Sequence, residues 1–146
     1  MRLYHFLRAL LAWLVPRLVR FRPEGLENIP AKGPFLIAAN HIHALDPIMI
    51  AIIAPQHVSF MAKEEVMHSR LLGWFVKHVG SFPVKRGKAD VQAIRQALGV
   101  LDAGNVLGIF PEGTRSKTGE VQAAFSGTAL LAGRADVPIV PVALCG

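Results

Sequence analysis

The chain has 146 residues, enough to bury a real core and better suited to one compact domain than to two. Apolar residues make up 52% and charged residues 18%, which is greasy for a soluble protein and leaves some apolar surface to face lipid. The single cysteine, Cys145, excludes an internal disulfide and a cysteine-built metal site, which fits a reducing compartment. The net charge of +6 calls for anionic partners, and composition does not choose among nucleic acid, an anionic membrane and a phosphorylated substrate.

Residues 2–22 hold five arginines and no acidic residue among many leucines. At about 100° per residue, Leu3, Leu7, Leu10, Leu11, Leu14, Val15, Leu18 and Phe21 share one helical face, and Arg2, His5, Arg8, Arg17 and Arg20 lie opposite. The unbroken apolar run from Ala9 to Pro16 is far short of the roughly 20 residues that cross a bilayer. Residues 1–22 are therefore expected to form an amphipathic helix in the membrane interface. Its arginines would lie among anionic headgroups, with Tyr4 and Trp13 near the rim and Pro16 kinking or dividing it. A helix packed on its own domain is the competing reading. A cleaved signal peptide is disfavoured, because no small-x-small site follows the apolar run.

The domain proper is expected over residues 23–146. Phe21 to Pro34 is punctuated by Pro23, Gly25, Pro30, Gly33 and Pro34 and reads as a connector. Phe35 to Ala39 is a short continuous apolar run, the pattern of a strand buried on both faces. A helix follows from Pro47 to about Ala54, with Asp46 as its N-cap. His57 to Ala62 reads as a strand, Glu64 to His78 as a helix, and Gly80 to Gly87 as a short strand ending in Lys85 and Arg86. Asp90 to Ala103 is a periodic helix stopped by Gly104. Val106 to Phe110 is a further buried strand, Phe125 to Arg134 a helix, and Val137 to Leu144 a last strand. This alternation predicts an α/β fold with a mixed, largely parallel sheet flanked by helices. Ligands of such sheets collect beyond the carboxyl ends of the strands, where the His41, Arg86 and Glu112 segments exit.

Asn40-His41-Ile42-His43-Ala44-Leu45-Asp46-Pro47 is the stretch richest in chemistry. Histidine can take a proton near neutral pH, and a carboxylate can orient the ring and stabilise its charged form. In a regular helix, a separation of five would leave His41 and Asp46 roughly 140° apart. Pro47 disfavours helix at Asp46, so a tight loop over residues 40–45 is expected to fold the carboxylate back onto the imidazole. Phe110 to Ser116 adds a carboxylate, two hydroxyls, a guanidinium and a glycine in one loop, which suits a polar, anionic group.

Four ordered segments carry a resemblance: Asn40-His41-x-x-x-x-Asp46, Gly80-x-Phe82-Pro83-Val84-x-Arg86-Gly87, Phe110-Pro111-Glu112-Gly113-Thr114-Arg115-Ser116, and Val137-Pro138-Ile139-Val140-Pro141-Val142-Ala143-Leu144. Over roughly residues 24–146 the chain resembles the glycerolipid acyltransferases, most closely the bacterial 1-acyl-sn-glycerol-3-phosphate acyltransferases. The resemblance implies acyl transfer from acyl-CoA or acyl carrier protein to the sn-2 hydroxyl of lysophosphatidate, giving phosphatidate. It implies His41 as general base and Asp46 as its orienting partner. Arg86, with Lys63 and Lys85, would hold the phosphate, and Glu112, Gly113, Thr114 and Arg115 would position glycerol and phosphate. No metal or organic cofactor is implied, since the thioester is already activated. The implied partners are the two substrates and an anionic membrane surface, with acyl carrier protein as one of two donors and nucleic acid not among them. The implied location is peripheral or monotopic on the cytoplasmic face.

The chain departs from the family in three places. Residues 122–127 lack a lysine often found after the third motif. The amino-terminal segment offers one interfacial helix or a kinked pair instead of several spans. The chain also stops at Gly146, so that it is either a compact member or lacks a carboxyl-terminal remainder. Two other readings stand beside the resemblance. One is a metal-dependent hydrolase using His41, His43 and Asp46 with His57 or His78, although the spacing matches no common zinc motif. The other is a non-catalytic, membrane-bound lipid-binding module.

Overall fold

The computed structural model describes residues 2–85 and 90–146. Strands β1 (Phe35–Ala39), β2 (Val58–Lys63), β3 (Phe82–Val84), β4 (Val106–Ile109) and β5 (Ile139–Val142) form one sheet in the order β3-β2-β4-β1-β5. Every pairing among them is parallel, so the mixed sheet expected from sequence is corrected to a parallel one. The cause is the helical crossover between each strand and the next, which returns the chain to the same end of the sheet.

Alternate residues of a strand point to opposite faces, and both faces of this sheet are covered. Phe35, Ile37 and Ala39 of β1 join Val58, Phe60, Val106 and Val140 beneath Ile50 and Ala54, at the helix α2 (Asp46–Ile53) and its end. Leu36, Phe82, Leu107 and Ile109 meet Ala97 and Leu101 of α5 (Val91–Asp102) and Leu131 and Ala132 of α6 (Gly127–Ala135) on the other face. Phe35, Leu36, Ile37, Ile50, Val106 and Leu107 are fully buried, and each such side chain contributes about 1.5–3 kcal/mol. The Asp90 side chain caps α5 by accepting the Ala93 N–H at 3.0 Å, and Gly104 closes the helix at φ 76°. The segment read as one helix over 64–78 is two, α3 (Glu64–Met67) and α4 (Arg70–His78). The N–H groups of His68 and Ser69 reach only three residues back, to Glu65 and Val66, and this tightening ends α3.

Helix α1 (Arg2–Leu18) is continuous, with Pro16 in its last turn. It packs on the domain, so the competing reading of the sequence holds for one of its faces. Tyr4 is 4% exposed and so does not lie at a membrane rim, and Val15, read onto the lipid-facing side, is buried as well. The Tyr4 hydroxyl accepts the Val58 N–H at 3.3 Å, and its ring meets His57 edge-on at 4.2 Å. Burial pushes the Tyr4 phenol above its ordinary pKa. Arg8, assigned by periodicity to the charged face among the headgroups, turns inward and donates to the carbonyls of Ile52 and Ala54 at the end of α2. These carbonyls lack helical partners and carry the negative end of the helix dipole, which suits a guanidinium. The opposite face leaves Leu3, Phe6, Leu10 and Trp13 exposed, and Arg17 lies over the Trp13 ring at 4.1 Å. Among the described residues no helix is long and apolar enough to cross a membrane.

Candidate active site

In a parallel sheet all strands end at one edge, and here the exits of β1 and β4 are neighbours there. Beyond β1 the Asn40 side chain acts as one more pairing residue: Nδ2 donates to the Leu144 carbonyl at 2.9 Å and Oδ1 accepts the Leu144 N–H at 2.6 Å. That bidentate contact continues the pairing of Ala39 with Val142.

His41 and Asp46 are both buried, at 9% and 4% exposure, and the fold joins them. His41 Nδ1 lies 2.7 Å from Asp46 Oδ2. The same oxygen accepts the N–H groups of Ile42 at 2.7 Å and His43 at 2.8 Å. The loop thus folds back as the sequence suggested, but Asp46 is not the N-cap. It is the first residue of α2, Leu45 holds the cap position without a side-chain bond, and the carboxylate is turned onto the preceding loop. Two backbone N–H groups already donate to this oxygen, and a carboxylate only accepts. A neutral His41 therefore carries its proton on Nδ1 and presents a lone pair on Nε2. Among the described residues Nε2 has no hydrogen-bond partner and is not a buried orphan. The ring is stacked on Phe110 at 4.0 Å, and Phe110 on Phe60 at 6.0 Å. Gly108 makes room for that support, because a Cβ there would come within 2.3 Å of the Phe60 ring.

The β4 exit loop grips the backbone of His41 from both sides. Glu112 Oε1 accepts the His41 N–H at 3.0 Å, and the Ser116 N–H donates to the His41 carbonyl at 2.7 Å. Glu112 is 5% exposed, and its Oε2 accepts the Gln122 N–H at 3.3 Å. Gly113 turns the loop at φ 67° beneath the Phe125 ring, which a Cβ would meet at 2.9 Å. Thr114 and Arg115, with Ile42, Ser116 and Lys117, line a hollow of about 320 Å³ beside the histidine loop. Lys117 is a cation of this wall that the sequence reading passed over; its place directly after Arg115-Ser116 was the available signal. A second, apolar cleft of about 550 Å³ shares Ile42 and runs along Val121, Pro141, Val142 and Leu144.

Two of the remaining predicted cations, Lys63 and Lys85, lie apart from the pair. Lys63 ends β2, two strands from β1, and its Nζ pairs with Glu65 at 2.9 Å. Lys85 follows β3, three strands from β1, and its N–H donates to Asp90 at 2.9 Å. Arg86 lies outside the described residues. The metal-ligand set weighed above does not assemble around His57, which precedes β2 and so sits at the opposite edge of the sheet from His41. There its Nε2–H donates to the Val79 carbonyl at 2.9 Å. His43 Nδ1 accepts the Leu45 N–H at 3.2 Å.

A parallel α/β domain with a buried histidine-aspartate pair at the carboxyl edge of its sheet is the class these observations define. The Acyltransferase family model matches residues 20–145, and the chain belongs to that family. A 1-acyl-sn-glycerol-3-phosphate acyltransferase of Bacillus subtilis is 35% identical over 121 residues, which is 82% of this chain and 60% of that protein. A lyso-ornithine lipid O-acyltransferase of Pseudomonas aeruginosa is 35% identical over 115 residues, 77% of this chain and 43% of that protein. The crystal structure of the 1-acyl-sn-glycerophosphate (LPA) acyltransferase of Thermotoga maritima superposes with a TM-score of 0.69 at 31% identity, covering 81% of this chain and 47% of that one. The chain thus spans about half the length of the relatives it matches.

Proposed function

We propose that the protein transfers a fatty acyl group from a thioester, acyl-CoA or acyl carrier protein, to the sn-2 hydroxyl of lysophosphatidate, forming phosphatidate. The observation that carries the reading is the Nδ1 of His41 held on Asp46 at 2.7 Å with Nε2 unpaired among the described residues, in a chain of this family. His41 Nε2 accepts the proton of the acceptor hydroxyl as its oxygen bonds to the thioester carbonyl carbon. Asp46 stabilises the imidazolium that forms, the C–S bond breaks, and the departing thiolate takes the proton back from Nε2. The substrate hydroxyl stands where serine stands in a hydrolase, so no acyl-enzyme is needed. The thioester supplies the activation, so no step calls on a metal or an organic cofactor.

Thr114, Arg115 and Lys117 supply hydroxyl and cationic groups to an anionic acceptor headgroup in the hollow beside the pair. Lys63 and Lys85 follow strands two and three places from β1, about 10 and 14 Å away by strand spacing, so only their long side chains bring them to the same phosphate, and Arg86 is assigned to it on the family resemblance alone. The exposed Leu3, Phe6, Leu10 and Trp13 face of α1 supports a peripheral or monotopic position on an anionic membrane, on its cytoplasmic side. A second reading changes only the acceptor: the relative from Pseudomonas aeruginosa is named for a lyso-ornithine lipid, which supports another lysolipid in that place.

The test is an assay of the purified protein with acyl-CoA and acyl carrier protein donors across lysolipids with and without a glycerol phosphate. Transfer to lysophosphatidate is expected, with a loss in His41→Ala of roughly 10²-fold or more. Activity of His41→Ala within tenfold of the unaltered protein sinks the general-base role. Transfer only to phosphate-free acceptors replaces the first reading with the second.

A further inference from the structure

We infer that Glu112 is a positioning residue for His41 and makes no contact with the acceptor, an inference that rests on the acyl-transfer reading above. The resemblance implies a substrate ligand at this place, yet the carboxylate is directed away from the ligand space. Glu112 is 5% exposed, and the hollow beside the pair is walled by Ile42, Thr114, Arg115, Ser116 and Lys117 without it. One oxygen takes the His41 N–H at 3.0 Å and the other the Gln122 N–H at 3.3 Å. Two backbone donors facing one side chain require two acceptors. A carboxylate has them, whereas an amide has one and turns its NH₂ against the second N–H.

The geometry explains why such a brace is needed. The imidazole is aimed by Asp46 through its side chain, but the peptide that carries it leaves a strand end and has no ladder partner. Glu112 from one side and Ser116 from the other supply the bonds a strand would have given, at the His41 N–H and carbonyl. Both come from the exit loop of β4, so the base is registered to the same loop that presents Thr114 and Arg115 to the acceptor. A carboxylate in direct contact with a phosphate would oppose binding; behind the base, Glu112 holds the geometry without meeting that charge.

Steady-state kinetics of Glu112→Gln and Glu112→Asp separate the roles. A brace predicts kcat lowered by roughly 10- to 100-fold with KM for lysophosphatidate within about twofold, since a base displaced by a fraction of an ångström loses rate and not affinity. The ring ¹H–¹⁵N resonances of His41 in selectively labelled protein are expected to move in both variants. A raised KM at preserved kcat overturns the inference and makes Glu112 a substrate ligand. Unchanged His41 resonances overturn it too, as does collapse of the fold in both variants, which makes the role structural only. An unaltered protein that transfers no acyl group sinks the acyl-transfer reading, and the resonance comparison still decides the fate of the brace.

Discussion

Asp46 shows how one carboxylate does several jobs through one atom. Its Oδ2 takes the Nδ1–H of His41 and the N–H groups of Ile42 and His43, which stitches the loop and selects the ring tautomer together. Asp46→Asn keeps the volume and can still accept backbone N–H groups, but it removes the charge that favours the imidazolium and sets an NH₂ among three donors. We expect kcat to fall by roughly 10²-fold or more with little change in KM, and a fall of less than tenfold would show that the carboxylate only shapes the loop. The pairing was legible in the sequence because Pro47 constrains Asp46. The capping role was not observed, because the helix begins one residue earlier and the side chain has better donors behind it than ahead.

Helix α1 shows why periodicity identifies an amphipathic element without saying which arc is buried. Tyr4, Arg8 and Val15 form the inner stripe, while Leu3, Phe6, Leu10 and Trp13 form the outer one. Periodicity puts Arg8 on the charged face and Tyr4 at the rim, yet both have apolar stems and polar ends that reach backbone partners of the domain. Deleting the helix would also remove these contacts, so surface substitutions are the cleaner probe of membrane binding. Phe6→Glu with Trp13→Glu is expected to lower binding to anionic liposomes at least tenfold, with the melting temperature unchanged. Sedimentation with liposomes at unchanged affinity would move the membrane surface elsewhere on the molecule.

For the whole molecule, stability couples to pH through His57, where α1, β2 and the turn before β3 converge. Burial holds its imidazole below the ordinary 6.5, against the opposing effect of its bond to Val79. The unfolded chain therefore binds a proton at a higher pH than the folded one, and stability falls as pH drops from about 6.5 toward the lower folded value. Asp90, held below its ordinary 3.8 by the N–H groups of Lys85 and Ala93, loses its contribution only in more acidic solution. The drop in melting temperature between pH 7 and pH 5 is expected to be smaller in His57→Gln than in the unaltered protein, and equal drops would remove His57 from the account. By itself the sequence determined the buried strands, the helices between them and the chemistry at the strand exits, because hydrophobic period, prolines and glycines act over a few neighbours. Only the tertiary structure decided that β4 inserts between β2 and β1, bringing Glu112 to a His41 that lies 71 residues away and tying Asn40 to a Leu144 104 residues on. Strand order is set by how all the apolar faces are covered together, a property of the assembled sheet and of no single segment.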